Sequence, residues 1–128
     1  MLSENNKKIL LNQLHKNIQT DAVRYLEAIR NKTLKKYIHY PPGTKLSTSE
    51  IDSLNRALIN NSTLESALGK LLKGAIGSAF FDFFNYVDGT GDPGNPAWKG
   101  VLLIDKTKEF EFDSRLHDEF FETVDRKD

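Results

Sequence analysis

The chain has 128 residues, 38% of them hydrophobic and 28% charged, and its 18 basic and 18 acidic side chains give a formal net charge of zero. That length suits a single domain over residues 1–128, and the composition is that of a folded protein with a well-solvated surface, not of a disordered chain. The absence of cysteine excludes disulfides, thiolate zinc sites and cysteine nucleophiles.

The opening MLSENNKKIL lacks the apolar core of a signal peptide. No apolar run approaches the roughly 20 residues that span a bilayer, so a cytoplasmic protein without membrane contact is expected. Charge is unevenly spread: residues 1–64 hold ten Lys/Arg against five Asp/Glu, and residues 65–128 hold eight against thirteen. Either the two halves intermix in space as ordinary solvated surface, or the second half presents a functional acidic face.

In chain order, Leu11, Leu14, Ile18, Ala22, Tyr25 and Ile29 recur every three or four residues. That spacing predicts one long helix from about Glu4 to Arg30, with a break at Thr20 and Asp21 as the alternative, since Thr20 can act as an N-cap. KTLKKYIHY, residues 32–40, then runs into Pro41, Pro42 and Gly43, which stop any helix and make an extended connector. Its lysines with Tyr37, His39 and Tyr40 are the pattern of a single-strand nucleic-acid contact, but the signal is thin and a surface linker anchored by its tyrosines is favoured.

Two capping boxes follow, Ser47 with Glu50 and Ser62 with Glu65. They predict a helix from about Thr48 to Asn60, burying Ile51, Leu54 and Leu58, and the start of a second. In this second helix Leu64, Leu68, Leu71, Leu72, Ala75, Ile76, Ala79 and Phe83 fall on about half of the circumference. Phe80, Phe81 and Phe84 fill the rest near its end, so the phenylalanine turns are expected at the centre of the core. Gly69, Gly74 and Gly77 imply that another element approaches the backbone there. Asp82 falls within the apolar stripe, where a buried carboxylate needs a partner or a functional role.

The loop DGTGDPGNP contains a literal GxGxxG at Gly89, Gly91 and Gly94. It follows a helix and precedes a strand-like segment, the reverse of the dinucleotide-binding context, and Pro93 removes an amide, so the glycines read as turn formers. Pro93 and Lys99 likewise break the EF-hand pattern opened by Asp88, Thr90 and Asp92. Asp88, Asp92 and Trp98 stay as loop candidates, the aspartates expected to stabilise turns. Beyond them, GVLLID and Phe110 with Phe112, about a polar turn at residues 106–108, predict a small β-hairpin. Residues 114–126 predict a C-terminal helix anchored by Leu116, Phe120 and Val124, with Asp118, Glu119, Glu122 and Asp125 turned outward. The fold expected is therefore α+β and mostly α: a long N-terminal helix, two central helices, a small β-hairpin and a C-terminal helix.

Catalytic constellations are scarce. His117 with loop aspartates such as Asp88 or Asp92 has the donor types of a metal-dependent hydrolase, yet no spacing demands it and neither HExxH nor a nucleophile elbow occurs.

The succession GAIGSAFFDFFNYVDGTGDP, AWKGVLLID and LHDEFFE resembles small bacterial proteins of the kind found as immunity partners of secreted toxins, over roughly residues 41–126. The resemblance implies a non-catalytic protein that binds one toxin and occludes it, without metal or cofactor; it supplies no functional residues. If the toxin is a nuclease, its cationic groove would meet Asp118, Glu119, Glu122 and Asp125. The expected partner is thus a protein rather than nucleic acid or membrane. A small hydrolase, or a generic oligomerising or regulatory module, is the alternative.

Overall fold

The computed structural model describes residues 2–34, 45–107 and 115–123. It contains four α-helices: α1 (Glu4–Arg30), α2 (Thr48–Leu58), α3 (Ser62–Asp88) and α4 (Leu116–Glu122). The connector aromatics Tyr37, His39 and Tyr40, the second half of the expected hairpin with Phe110 and Phe112, and Val124 and Asp125 lie outside the described residues.

Helix α1 is unbroken. Ser3 caps it by accepting from the Asn6 amide at 3.3 Å, while Glu4 in the first turn and Arg30 in the last suit the helix dipole. Asp21 and Thr20 cause no break; Asp21 instead sits 3.6 Å from Arg24, one turn on. The helix ends at Asn31, followed by Lys32 in the left-handed region at φ 55. There the chain is held from outside, because the Asn55 side-chain amide of α2 donates to the carbonyls of Ile29 at 3.2 Å and Arg30 at 2.8 Å. Carbonyls at a helix end lack intrahelical partners; that of Ile29 also accepts from the Lys32 amide at 3.3 Å.

Helix α2 begins with the expected capping box: Ser47 Oγ accepts from the Glu50 amide at 3.1 Å and Glu50 Oε1 from the Ser47 amide at 3.0 Å. Hydrogen bonds to the carboxylate from the Ser47 backbone amide and then from the Ser47 side chain hold the Glu50 carboxyl below its usual range. At the start of α3 the second expected box does not form. Asn61 is the cap, accepting from the Leu64 amide at 3.0 Å, and Glu65 turns away to pair with Arg30 of α1.

Helices α1 and α3 form the frame. A Cβ built on Gly69 would lie 3.2 Å from Leu26 Cδ1, and one on Gly77 3.9 Å from Ile18 Cδ1. Eight residues back along α1 therefore match eight forward along α3, so the helices run antiparallel in register. Helix α2 packs against both. The core lies at that three-helix end: Leu26, Ala28, Ile29, Leu34 and Leu58 are buried together, with Tyr25, Leu46, Leu54, Leu68 and Leu72 packed around them.

Two expectations are corrected here. Among the described residues there is no strand, residues 101–107 of the expected β-hairpin included, so the described fold is all-helical instead of α+β. The apolar residues Leu103 and Ile104 are half-buried on a segment that lies along helices instead of pairing in a sheet; burial on helix surfaces satisfies the same apolar pattern that suggested a strand. The phenylalanine turns are not the centre of the core either, since Phe81 is 67% and Phe83 50% exposed. The buried side of α3 runs through Gly69, Ile76, Phe80, Phe84 and Val87, about 100° round the helix from the stripe read in the sequence. Glycine at 69 lets α1 approach closely on that side, leaving Leu71, Ala75 and Asp82 facing solvent. Among the described residues no helix is long and apolar enough to cross a membrane.

Candidate functional site

Far from the core, the first turns of α1 and the last turns of α3 extend beyond α2, with open space beside them. The chain after α3 fills part of this space. Gly89 ends α3 at φ 75, and the Thr90 and Gly91 amides both return to the Asn85 carbonyl at 2.9 Å. The left-handed conformation required of Gly89 is the reason a glycine stands there. Asp92 then accepts from the Gly94 amide at 2.7 Å, a turn role of the kind expected from the sequence. Trp98 packs edge-on against Tyr86 of α3, with ring centroids 6.5 Å apart.

Residues 101–105 return along the start of α1. Asp105 Oδ1 accepts from the Ser3 amide at 3.1 Å, and hydrogen bonds from the Asn6 side chain, then from Ser3, hold the Asp105 carboxyl below its usual range. A carboxylate at a helix N-terminus meets unpaired amides and the positive end of the dipole. Asp105 thus fastens this segment to α1.

Between the fastened segment and the two helices lies an open groove of about 630 Å³. Leu2, Leu10, Leu11, Phe84, Val87 and Leu103 form its apolar lining, with Glu4, Lys7 and Asp88 at its polar edge and Leu102 at its lip. Lys7 is paired with Glu4. Leu102 is 70% exposed and the neighbouring Val101 52%. An open apolar groove with a charged edge is the anatomy of a site for a partner's side chain rather than of an enclosed catalytic pocket.

The residues singled out in the sequence fall in several places. Asp88 ends α3 at the groove edge, Asp92 and Trp98 lie in the loop beyond it, and Asp82 is exposed without the burial that made it notable. Asp118, Glu119 and Glu122 are exposed on α4 as expected. Asp118 sits 3.5 Å from His117, while Arg115 lies 3.3 Å from Glu122 and occupies part of the acidic face. Asp118 and Glu119 also suit the first turn of α4, so helix electrostatics accounts for part of their placement. Among the described residues no three His, Asp or Glu side chains gather as a metal site, and His117, Asp88 and Asp92 do not form such a group.

Sequence reasoning missed the groove. Its lining comes from three segments with no common motif, and only the antiparallel register of α1 and α3 brings Leu10 and Leu11 beside Phe84 and Val87. Comparison with protein-family models, with curated proteins and with solved structures gives no match. The fold and the groove therefore define the chain no further than an all-helical protein with an apolar surface groove.

Proposed function

We propose that this chain is a protein-binding protein of the toxin-immunity type, which seats apolar side chains of its partner in the groove at the far end of the α1–α3 pair. The observation that carries the reading is the groove itself: apolar residues of α1, α3 and residues 102–103 face solvent together, edged by Glu4, Lys7 and Asp88. Buried apolar anchors within a polar rim dominate the energetics of protein recognition. The exposed carboxylates of Asp118 and Glu119 would add a salt-sensitive attraction for a cationic partner. The resemblance of residues 41–126 to immunity proteins supplies the class of partner, a secreted toxin.

The test is calorimetric titration of the full chain with the secreted protein encoded beside its gene. Leu11→Gln and Leu102→Glu each change groove residues that are already partly exposed, 37% and 70%. Both variants should keep the wild-type helical circular dichroism and melting curve while losing at least about tenfold in affinity, the size expected for an anchor worth more than about 1.4 kcal/mol. Wild-type affinity in both variants would refute the groove as the binding site.

A further inference from the structure

The outward face of α3 carries a second, independent pattern. Ala67, Leu71, Gly74, Ser78 and Phe81 follow one another at steps of four, three, four and three, all on the exposed side of the helix. That is the heptad spacing of a seam that packs against another helix. Helix α1 lies on the opposite side of α3, against Gly69 and Gly77, so neither it nor the core uses this seam. Leu71 is 70% and Phe81 67% exposed.

The seam is self-complementary in size about the level of Ile76. Leu71 and Phe81 stand five residues to either side of that level, and Gly74 and Ser78 two residues to either side. Two copies of α3 laid antiparallel across a two-fold axis at this level would put the large Leu71 of each against Phe81 of the other. They would also put Gly74 against Ser78 where the helices come closest. An isologous interface requires such self-matching of one surface patch. A Cβ built on Gly74 meets nothing within 4 Å, so no packing among the described residues calls for glycine there, whereas a near helix crossing does.

The same operation brings the Tyr86–Trp98 ring pair of one copy to the level of Leu64 in the other, on the same flank of the seam. Leu64, Tyr86 and Trp98 are each a little over one third exposed. The exposed parts of these side chains and of the seam come to about 500 Å² per copy, or about 1,000 Å² for the pair, the lower bound for a specific interface. Lys70 and Asp82 lie on opposite flanks of the seam and stay at its wet rim.

We propose that the outward face of α3 is a homodimer interface, closed by a second copy of this chain packed antiparallel across Gly74 and Ser78. This surface is separate from the groove, so the dimer leaves the partner-binding reading to be tested on its own.

Sedimentation velocity of the full chain across about 1–500 μM reads the proposal directly. Wild type should pass from monomer to dimer with a midpoint near 10–100 μM, the affinity range of a small interface. Gly74→Gln places a bulky side chain at the crossing but a better helix former in the helix. This variant should stay monomeric at every concentration with a melting temperature no lower than wild type measured at low concentration. Phe81→Gln should likewise be monomeric. With no native cysteine, Ser78→Cys supplies a unique thiol that a short bismaleimide should join copy to copy, whereas Lys16→Cys on the polar face of α1 should not be joined. A wild type that stays monomeric to 500 μM would overturn the proposal and leave the face to a different molecule. Dimerisation equal to wild type in Gly74→Gln would overturn it by placing the contact elsewhere.

Discussion

Replacing Asn55 tests the architecture most directly, because this one buried side chain joins α2 to the end of α1. Asn55 is 5% exposed and its amide nitrogen donates to both the Ile29 and Arg30 carbonyls. Asn55→Ala removes both donors; at about 0.5–1.5 kcal/mol for each net hydrogen bond, the loss should be about 1–3 kcal/mol. Asn55→Asp is nearly isosteric but turns a carboxylate oxygen toward two carbonyl oxygens. A buried charge without a partner adds a penalty of the order of 3–5 kcal/mol. The sign with pH then follows. The folded protein holds this carboxyl preferentially protonated, so its pKa rises above the unfolded value. The deficit is largest at neutral pH and shrinks as pH falls toward the unfolded carboxylate pKa near 4. Urea melts of wild type and both variants at pH 7 and pH 5 measure it. An Asn55→Ala loss below about 0.5 kcal/mol, or an Asn55→Asp deficit that does not change with pH, would refute the role assigned to this side chain.

The Asp105 carboxyl is held below its usual value of 3.8 by Asn6 and Ser3. The stabilisation it confers is therefore complete above that pH and disappears as pH falls through the lower folded value; amide exchange at residues 101–104 should rise in that acid window, and Asp105→Ala should show the fast exchange at every pH. Gly69→Val forces a branched side chain against Leu26, where even a Cβ stands at 3.2 Å; a loss of about 1–3 kcal/mol in denaturant melts is expected for overpacking. Phe83→Ala removes a ring that is 50% exposed and should cost about 1–2 kcal/mol, below the roughly 3–5 kcal/mol of a fully buried ring, again read from melts. Reversal of Asp118 and Glu119 to lysine should leave the melting curve within about 0.5 kcal/mol of wild type and slow association with a cationic partner at low salt only, measured by stopped flow against ionic strength; equal rates at low salt would remove α4 from the interface.

Periodicity made the helices legible. The step of three and four from Leu11 to Ile29 predicts the bounds of α1, and Ser47 with Glu50 marks the start of α2, because both signals are local. What failed was non-local. The rotation of α3 about its own axis depends on which face α1 chooses, and the close approach at Gly69 outweighed a stripe of larger apolar residues. Near its end Phe80, Phe81, Phe83 and Phe84 make α3 apolar nearly all round, so the stripe lost its definition there. The hairpin failed for a related reason, since apolar residues on both faces of residues 101–104 fit a strand or an extended segment lying on helices equally well. Asn55 was within reach: it stands four residues after Ile51 and three before Leu58, on the face that both define, and a polar residue on a buried helix face needs partners. The acidic residues of α4 were legible as exposed, whereas the groove was not, for it exists only once α1 and α3 are set in antiparallel register.

The placement of the core at one end of the α1–α3 pair has an evolutionary consequence. Buried contacts that fix the fold gather around Leu26, Ile29 and Leu58, while the groove lies some 15 residues away along α1, about 20 Å at 1.5 Å per residue. Substitutions separated by such a distance act on stability nearly independently. If the groove seats a partner as proposed, Leu102, Leu11 and their neighbours can therefore drift in shape and polarity as that partner changes, and the chain can acquire a new specificity without passing through an unfolded intermediate sequence.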